Sequence, residues 1–400
     1  MSRVPPQLQR FWPLIKRGHR YGARVAGAVG RHTGGPARGL PRSASPTARE
    51  TVRREPVGTR FHALAPAYTL DRPMPVGEPA DHPYFAARAR QEVPERFVLD
   101  LRDGLLLGRH LATVTAGGIL DSETSHYWGI HRWQEHPVFW NPRPGPVRHV
   151  AGTVGALSAR GTGGNYYHFL IDALPRWEAV RTVLGGADPD FWVVDHATRY
   201  EKAYVELMGI DPARIITPGP GFALRADRLL VPSLPNVETL VEPGTTTWLR
   251  ERFPAGDLSL LPERVYVTRG DVPNTRRVVG EDRLFAALAE RGFARIDPGA
   301  LSVQQQVDHF AAARVIVSPH GAALTNLVFA RPGVRLLELF APGYVNGGYW
   351  SIVGNIPDAR YRYLVGDGDP GRSRPGAEPV MQDIEIDPDR VLEALDELEL

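Results

Sequence analysis

Two short stretches carry side chains whose types and spacing could do chemistry. The first is NYYHFLIDALPR, residues 165–176, where Asn165, His168 and Asp172 stand at i, i+3 and i+7. On a helix such positions share one face. A histidine and an aspartate one turn apart, following the flexible GTGG, could share a proton and act as a general base. They could equally form a buried structural hydrogen bond. The second stretch is SPHGAALTN, residues 318–326, between the apolar runs ARVIV and LVFARPGVRLLELF. A turn from buried strand to helix aims backbone N–H groups and the positive end of a dipole at whatever sits there. His320 and Gly321 therefore mark either an anion site or a tight turn that happens to carry a histidine.

Arginines add to the second stretch. The run RVYVTR (264–269) ends in Arg269, and GDVPNTRR then supplies Arg276 and Arg277. Guanidiniums gathered near one strand end can clamp a diphosphate through paired N–H donors; a solvated basic loop is the alternative. Glu338, in LLELF, is placed at a third strand end, where a carboxylate could accept hydrogen bonds from ribose hydroxyls. Together these residues describe a nucleotide-diphosphate site that needs no metal, because arginines and a helix terminus supply the positive field. Competing motifs are weaker. D-x-D occurs at Asp188/Asp190, Asp367/Asp369 and Asp387/Asp389, each in a turn-like context. GTGGNYY (161–167) with Asp195 faintly resembles a dinucleotide fingerprint, but Tyr166 replaces the third glycine and Asp195 lies too far along.

These residues need a scaffold. In the second half, strand-like RVYVTR, FARIDP, RVIVS and VRLLELF alternate with helices expected at 280–291, 303–313 and 322–329. That alternation implies βαβ crossovers and a parallel sheet covered on both faces, with ligands beyond the carboxyl ends of the strands. The first half reads as a mixed α/β domain that begins as a β-meander, with a continuous helix over 165–184.

Composition sets the bounds. Four hundred residues suit two domains, and 42% hydrophobic content is ample for their cores. The absence of cysteine excludes a disulfide framework, thiolate catalysis and cysteine-ligated zinc. Residues 1–49 hold ten basic residues and no acid, leaving 37 basic against 45 acidic residues in the rest. The body is thus no nucleic-acid binder. The leader mixes Leu8, Phe11, Trp12, Leu14 and Ile15 with Arg10, Lys16, Arg17 and Arg20, a composition that can lie on an anionic membrane surface. Residues 30–60 read as a linker rich in Gly, Pro, Ser and Arg.

In order along the chain, N-x-x-H-x-x-x-D-x-x-P-R, YVTRGDVPNTRRVVGEDRL and ALSVQQQVDHFAAARVIVSPHGAALTNLVFARPGVRLLELF resemble glycosyltransferase family 61. The resemblance spans about residues 148–365. It implies an α/β GT-B-like fold, two Rossmann-like domains facing a cleft, with a β-rich start to the first. The expected division is a basic, disordered leader and linker at 1–55, an acceptor-side domain at 56–245, a donor-binding domain at 246–365 and an extension with a helix at 366–400. The resemblance further implies inverting, metal-independent transfer from a nucleotide-sugar, commonly UDP-linked, to a carbohydrate or lipid-linked saccharide. Capsular or other cell-surface polysaccharide synthesis is the expected setting, in the cytoplasm or on the inner face of the membrane. Carried over, Arg269, Arg276 or Arg277, His320, Gly321, Ala322 and Asn326 meet the donor, and Glu338 meets its ribose. His168 or Asp172 faces the acceptor, with Asn165 and Arg176 beside them. No cofactor and no metal are expected. Gly280 departs from the family, which usually has Asn there. An NAD-dependent oxidoreductase and a non-catalytic nucleotide-sugar-binding protein are the alternatives.

Overall fold

The computed structural model describes residues 40–140, 145–236, 239–270, 276–368 and 382–400, with isolated positions in the leader. The membrane-surface expectation for residues 1–30 therefore falls outside the described residues, as does Asp369. The described chain forms two compact units that interleave in sequence: Thr69–Val93 with Asn236–Leu400, and residues 40–68 with Pro94–Pro235. This differs from the contiguous division expected, because a loop of the first half joins the sheet of the second. The expected linker also gives way to structure. Ser43–Ser45 is a strand, and Ala48–Arg54 is a helix capped by the Thr47 hydroxyl, which accepts from the Glu50 N–H.

In the unit built around residues 94–235, Arg148–Ala156 is the central strand. It pairs in parallel with Phe191–Val193 and with Ala223–Pro232. The latter pairs antiparallel with Arg96–Arg102 and with Leu105–Leu107. From there Leu105–Leu107, Ala112–Val114 and Ile119–Asp121 form the expected meander. The sheet is therefore mixed, and Leu99, Leu101, Val154, Leu224 and Leu229 within it are fully buried.

The other unit holds a six-stranded, wholly parallel sheet. Its order is Ala294–Ile296, Arg264–Val267, Val315–Pro319, Arg335–Phe340, Arg360–Val365 and Val76–Glu78. Successive strand residues point to opposite faces. Val265, Ile316 and Leu336 are as buried as Tyr266, Val317 and Leu337, so both faces are covered, as the apolar runs predict. Helices Glu281–Glu290, Val303–Ala312 and Pro388–Glu399 fall close to their expected places. Ser302 and Gln305 close a capping box on the second of these. Residues Ala322–Phe329 form a 3-10 helix.

Candidate functional site

After its edge strand Val76–Glu78, the parallel sheet takes up Arg264–Val267, steps to one side for Ala294–Ile296, then crosses to the other side of Arg264–Val267 for Val315–Pro319. The carboxyl ends of Arg264–Val267 and Val315–Pro319 flank the point where strand order reverses, where open α/β sheets form a crevice. Arg269 and His320 lie just past those two ends. Arg269 Nη1 donates to the His320 carbonyl at 2.8 Å. Gly321 has φ −172°, which any residue adopts, but a Cβ there would collide with Arg269 Nη1.

Arg276 holds φ +73°, a left-handed conformation rare outside glycine. Its guanidinium lies over the Tyr344 ring, 5.1 Å from the centroid. Burial, then the charges of Arg276 and Arg277, push Arg269 down to about 10. Arg276 and Arg277 are thus close enough to repel Arg269. The Asp383 carboxylate offsets this weakly and accepts the Arg277 N–H at 3.0 Å. Positive charge gathered around a buried guanidinium favours an anion.

Glu338 behaves differently from expectation. It sits within Arg335–Phe340 and not at its end, with no exposure. Its Oε1 lies 2.5 Å from His320 Nδ1, and Oε2 accepts from the Tyr361 hydroxyl at 2.7 Å. Both oxygens are engaged within the fold, so the carboxyl orients His320. Burial drives the Glu338 carboxyl well up and the His320 imidazole well down, favouring an uncharged pair. Phe340, Tyr349 and Tyr344 surround the imidazole at 5.2, 5.1 and 5.4 Å between ring centroids. Asn326, expected at the donor, is buried and donates to Gln306 Oε1 and to the Ala323 carbonyl, both at 3.0 Å. Ala322 opens the 3-10 helix and accepts from the Thr325 hydroxyl. Gly280 has φ +71° before the helix at Glu281. Asn is among the few other residues that adopt this conformation readily, so Gly there keeps the turn.

In the other unit the predicted helix is broken into three parts. Tyr166–His168 is an α turn, Phe169–Ala173 is π-helical and Arg176–Val183 is α-helical. The wide turn closes through the Leu174 N–H and the Phe169 carbonyl at 3.1 Å. Asn165 is the N-cap, its side chain accepting from the His168 N–H, so it lies off the expected face. His168 Nδ1 meets Asp172 Oδ2 at 2.8 Å, and the side chains are 12% and 2% exposed. Arg176 is a clamp: its guanidinium donates to the carbonyls of Leu157, Ser158 and Pro232. Burial pushes it down to about 9. Between the strand and this helix, the Gly164 N–H donates to Glu201. Asp195 accepts from the Ser158 hydroxyl at 2.7 Å and faces the Thr162 hydroxyl, which engages the carboxylate that a dinucleotide site would turn to a ribose.

The sequence reading missed Trp128, which packs against His168, Arg160, which lies over Trp128, and Tyr361, which completes the Glu338 contacts. The alternation RYRYLV puts Tyr361 and Tyr363 on one strand face, but only register pairs that strand with Glu338. Four of the D-x-D aspartates serve the fold. Asp188 pairs with Arg181, Asp190 accepts from the Thr153 N–H, Asp367 pairs with Arg390 and Asp387 caps the last helix. Among the described residues no group of three or more His, Asp or Glu side chains is placed to hold a metal. Among them, too, no helix is long and apolar enough to cross a membrane.

A parallel α/β sheet whose switch point is flanked by guanidiniums is chemically suited to an anion. Residues 166–337 match the family model described as Glycosyltransferase 61, which indicates a glycosyltransferase. The match takes in His168, Asp172, the three arginines and His320; it starts one residue after Asn165 and stops one before Glu338. No curated protein matches the chain.

Proposed function

We propose that the protein transfers a sugar from a UDP-linked donor to a hydroxyl of a carbohydrate or lipid-linked saccharide, with inversion and without a metal ion. The observation that carries this reading is the cluster of Arg269, Arg276 and Arg277 beside the His320 turn at the switch point. There the guanidiniums and the N–H groups after His320 take the charge of the departing diphosphate. His168 is the general base. Its Nδ1 is held by the more deeply buried Asp172, so Nε2 takes the acceptor proton while Asp172 steadies the imidazolium. The acceptor oxygen then attacks the anomeric carbon as the bond to the diphosphate oxygen breaks. The setting we propose is cell-surface or capsular polysaccharide synthesis on the cytoplasmic side.

The test separates the two halves. UDP at 100 times its dissociation constant should stabilise the fold by about 2.7 kcal/mol in EDTA. Binding that vanishes in EDTA and returns with Mn²⁺ overturns the metal-free reading. Asp172→Asn and His168→Ala should each lower turnover by about 10²–10⁴-fold with UDP affinity held within about twofold. A folded Asp172→Asn protein with normal transfer removes Asp172 from the mechanism.

A further inference from the structure

Among the tryptophans whose burial is described, Trp128 is the most exposed, with Trp133 and Trp248 half-buried. It is 38% exposed, whereas Trp177, Trp192 and Trp350 are 8%, 1% and 3% exposed. Its exposure is combined with fixed placement. The Arg160 guanidinium, itself almost wholly buried, lies over the indole at 4.7 Å from the ring centroid. The His168 imidazole is 4.9 Å away between centroids, tilted by 46°. Tyr127 packs at 5.9 Å. Gly161 has φ +76°, and a Cβ there would lie 2.6 Å from the indole and 2.9 Å from His168 Cδ2. The backbone therefore comes in where no side chain fits, and that close approach holds both rings together.

A large, rigid aromatic surface left open beside a general base suits a ligand with one apolar face and a polar edge. A pyranose ring has both: C–H bonds on its face and hydroxyls at its rim. Binding sites of this kind combine aromatic lining with a few placed polar groups. We propose that Trp128 is the stacking platform for the acceptor saccharide, presenting a ring hydroxyl to His168. The inference rests on the reading of His168 as base. Trp128 also lies outside residues 166–337, so it would set acceptor specificity for this chain beyond what the matched segment carries.

The test uses the full chain with methyl β-glucoside, methyl β-galactoside and methyl β-xyloside as probes. Binding is read by saturation-transfer NMR and by indole fluorescence. At least one glycoside should bind, with its dissociation constant raised about tenfold in Trp128→Ala and changed by less than about threefold in Trp128→Phe. In transfer assays, acceptor KM should rise with the same ranking while the UDP dissociation constant and the melting temperature stay put. A merely structural Trp128 would move the melting temperature and leave the KM ranking unordered. Equal glycoside binding by wild type and Trp128→Ala overturns the inference, as does indole quenching by uridine and by none of the glycosides. If glycosides bind through Trp128 but no UDP-sugar is bound or turned over, the transfer reading falls and the platform stands.

Discussion

At Gly321 the backbone is extended, so what excludes a side chain is a neighbour and not a dihedral angle. The neighbour is the far end of Arg269, a flexible chain that can swing away. Gly321→Ala should therefore leave the melting temperature nearly unchanged. It should break the Arg269 bond to the His320 carbonyl and move one guanidinium off the switch point. A lost charge-assisted contact is worth about 1.5–3 kcal/mol, so UDP affinity should fall about tenfold or more by calorimetry. A variant with wild-type affinity would place the diphosphate elsewhere. The convergence of Arg269 and His320 was legible because each follows an apolar strand, and parallel sheets gather ligands at strand ends. Glu338 was misplaced for a related reason. Its partners His320 and Tyr361 depend on strand register, and hydrophobic runs do not encode which residues sit side by side.

Elements were legible where a strong period and a cap agreed, and less so where packing chose between similar turns. The helix Val303–Ala312 carries both signals and falls where expected. Residues 165–184 carry an apolar face throughout, which a π turn satisfies as well as an α turn does. The choice of Phe169 rather than Leu170 as the partner of the Leu174 N–H comes from the surroundings, and it sets the His168–Asp172 geometry. The final helix, Pro388–Glu399, was expected in the extension, but its sequence did not name the core it joins. Its Val391, Ala394, Leu395 and Leu398 join one apolar cluster with Tyr266, Leu337 and Leu364. Leu395 has no exposure, so Leu395→Ala should cost about 2–5 kcal/mol in denaturant unfolding. Neutralising Glu399, which pairs with Arg264 near the surface, should change stability far less. Equal effects of the two substitutions would mean that the helix is held by its charges and not by its buried face.

Across the whole molecule, sequence periods say that a segment is a strand or a helix without saying which sheet it joins. Thr69–Val93 follows a strand of one unit and would be assigned to that unit on chain order alone. Its side chains tell otherwise. Arg72 donates to the carbonyls of Val241 and Ser351 and to Gln91. Val76–Glu78 extends the parallel sheet beside Arg360–Val365. Phe85, with no exposure, packs against Trp350, Tyr361 and Tyr363, and Tyr361 in turn holds Glu338. The segment is therefore a structural part of the unit that carries the parallel sheet, and Phe85 reaches His320 through three contacts, by way of Tyr361 and Glu338. Residues 236–400 expressed alone should fail to give cooperative unfolding, because the slot for Phe85 and the carbonyls bound by Arg72 would open to water. In the full chain, Phe85→Ala should cost about 3–5 kcal/mol. It should also weaken UDP binding more than an equally destabilising substitution in the Leu105–Asp121 meander, since only the former loosens Tyr361. Fragment 236–400 melting cooperatively and binding UDP like the full chain would show that the segment is an attachment and that the donor site stands without it.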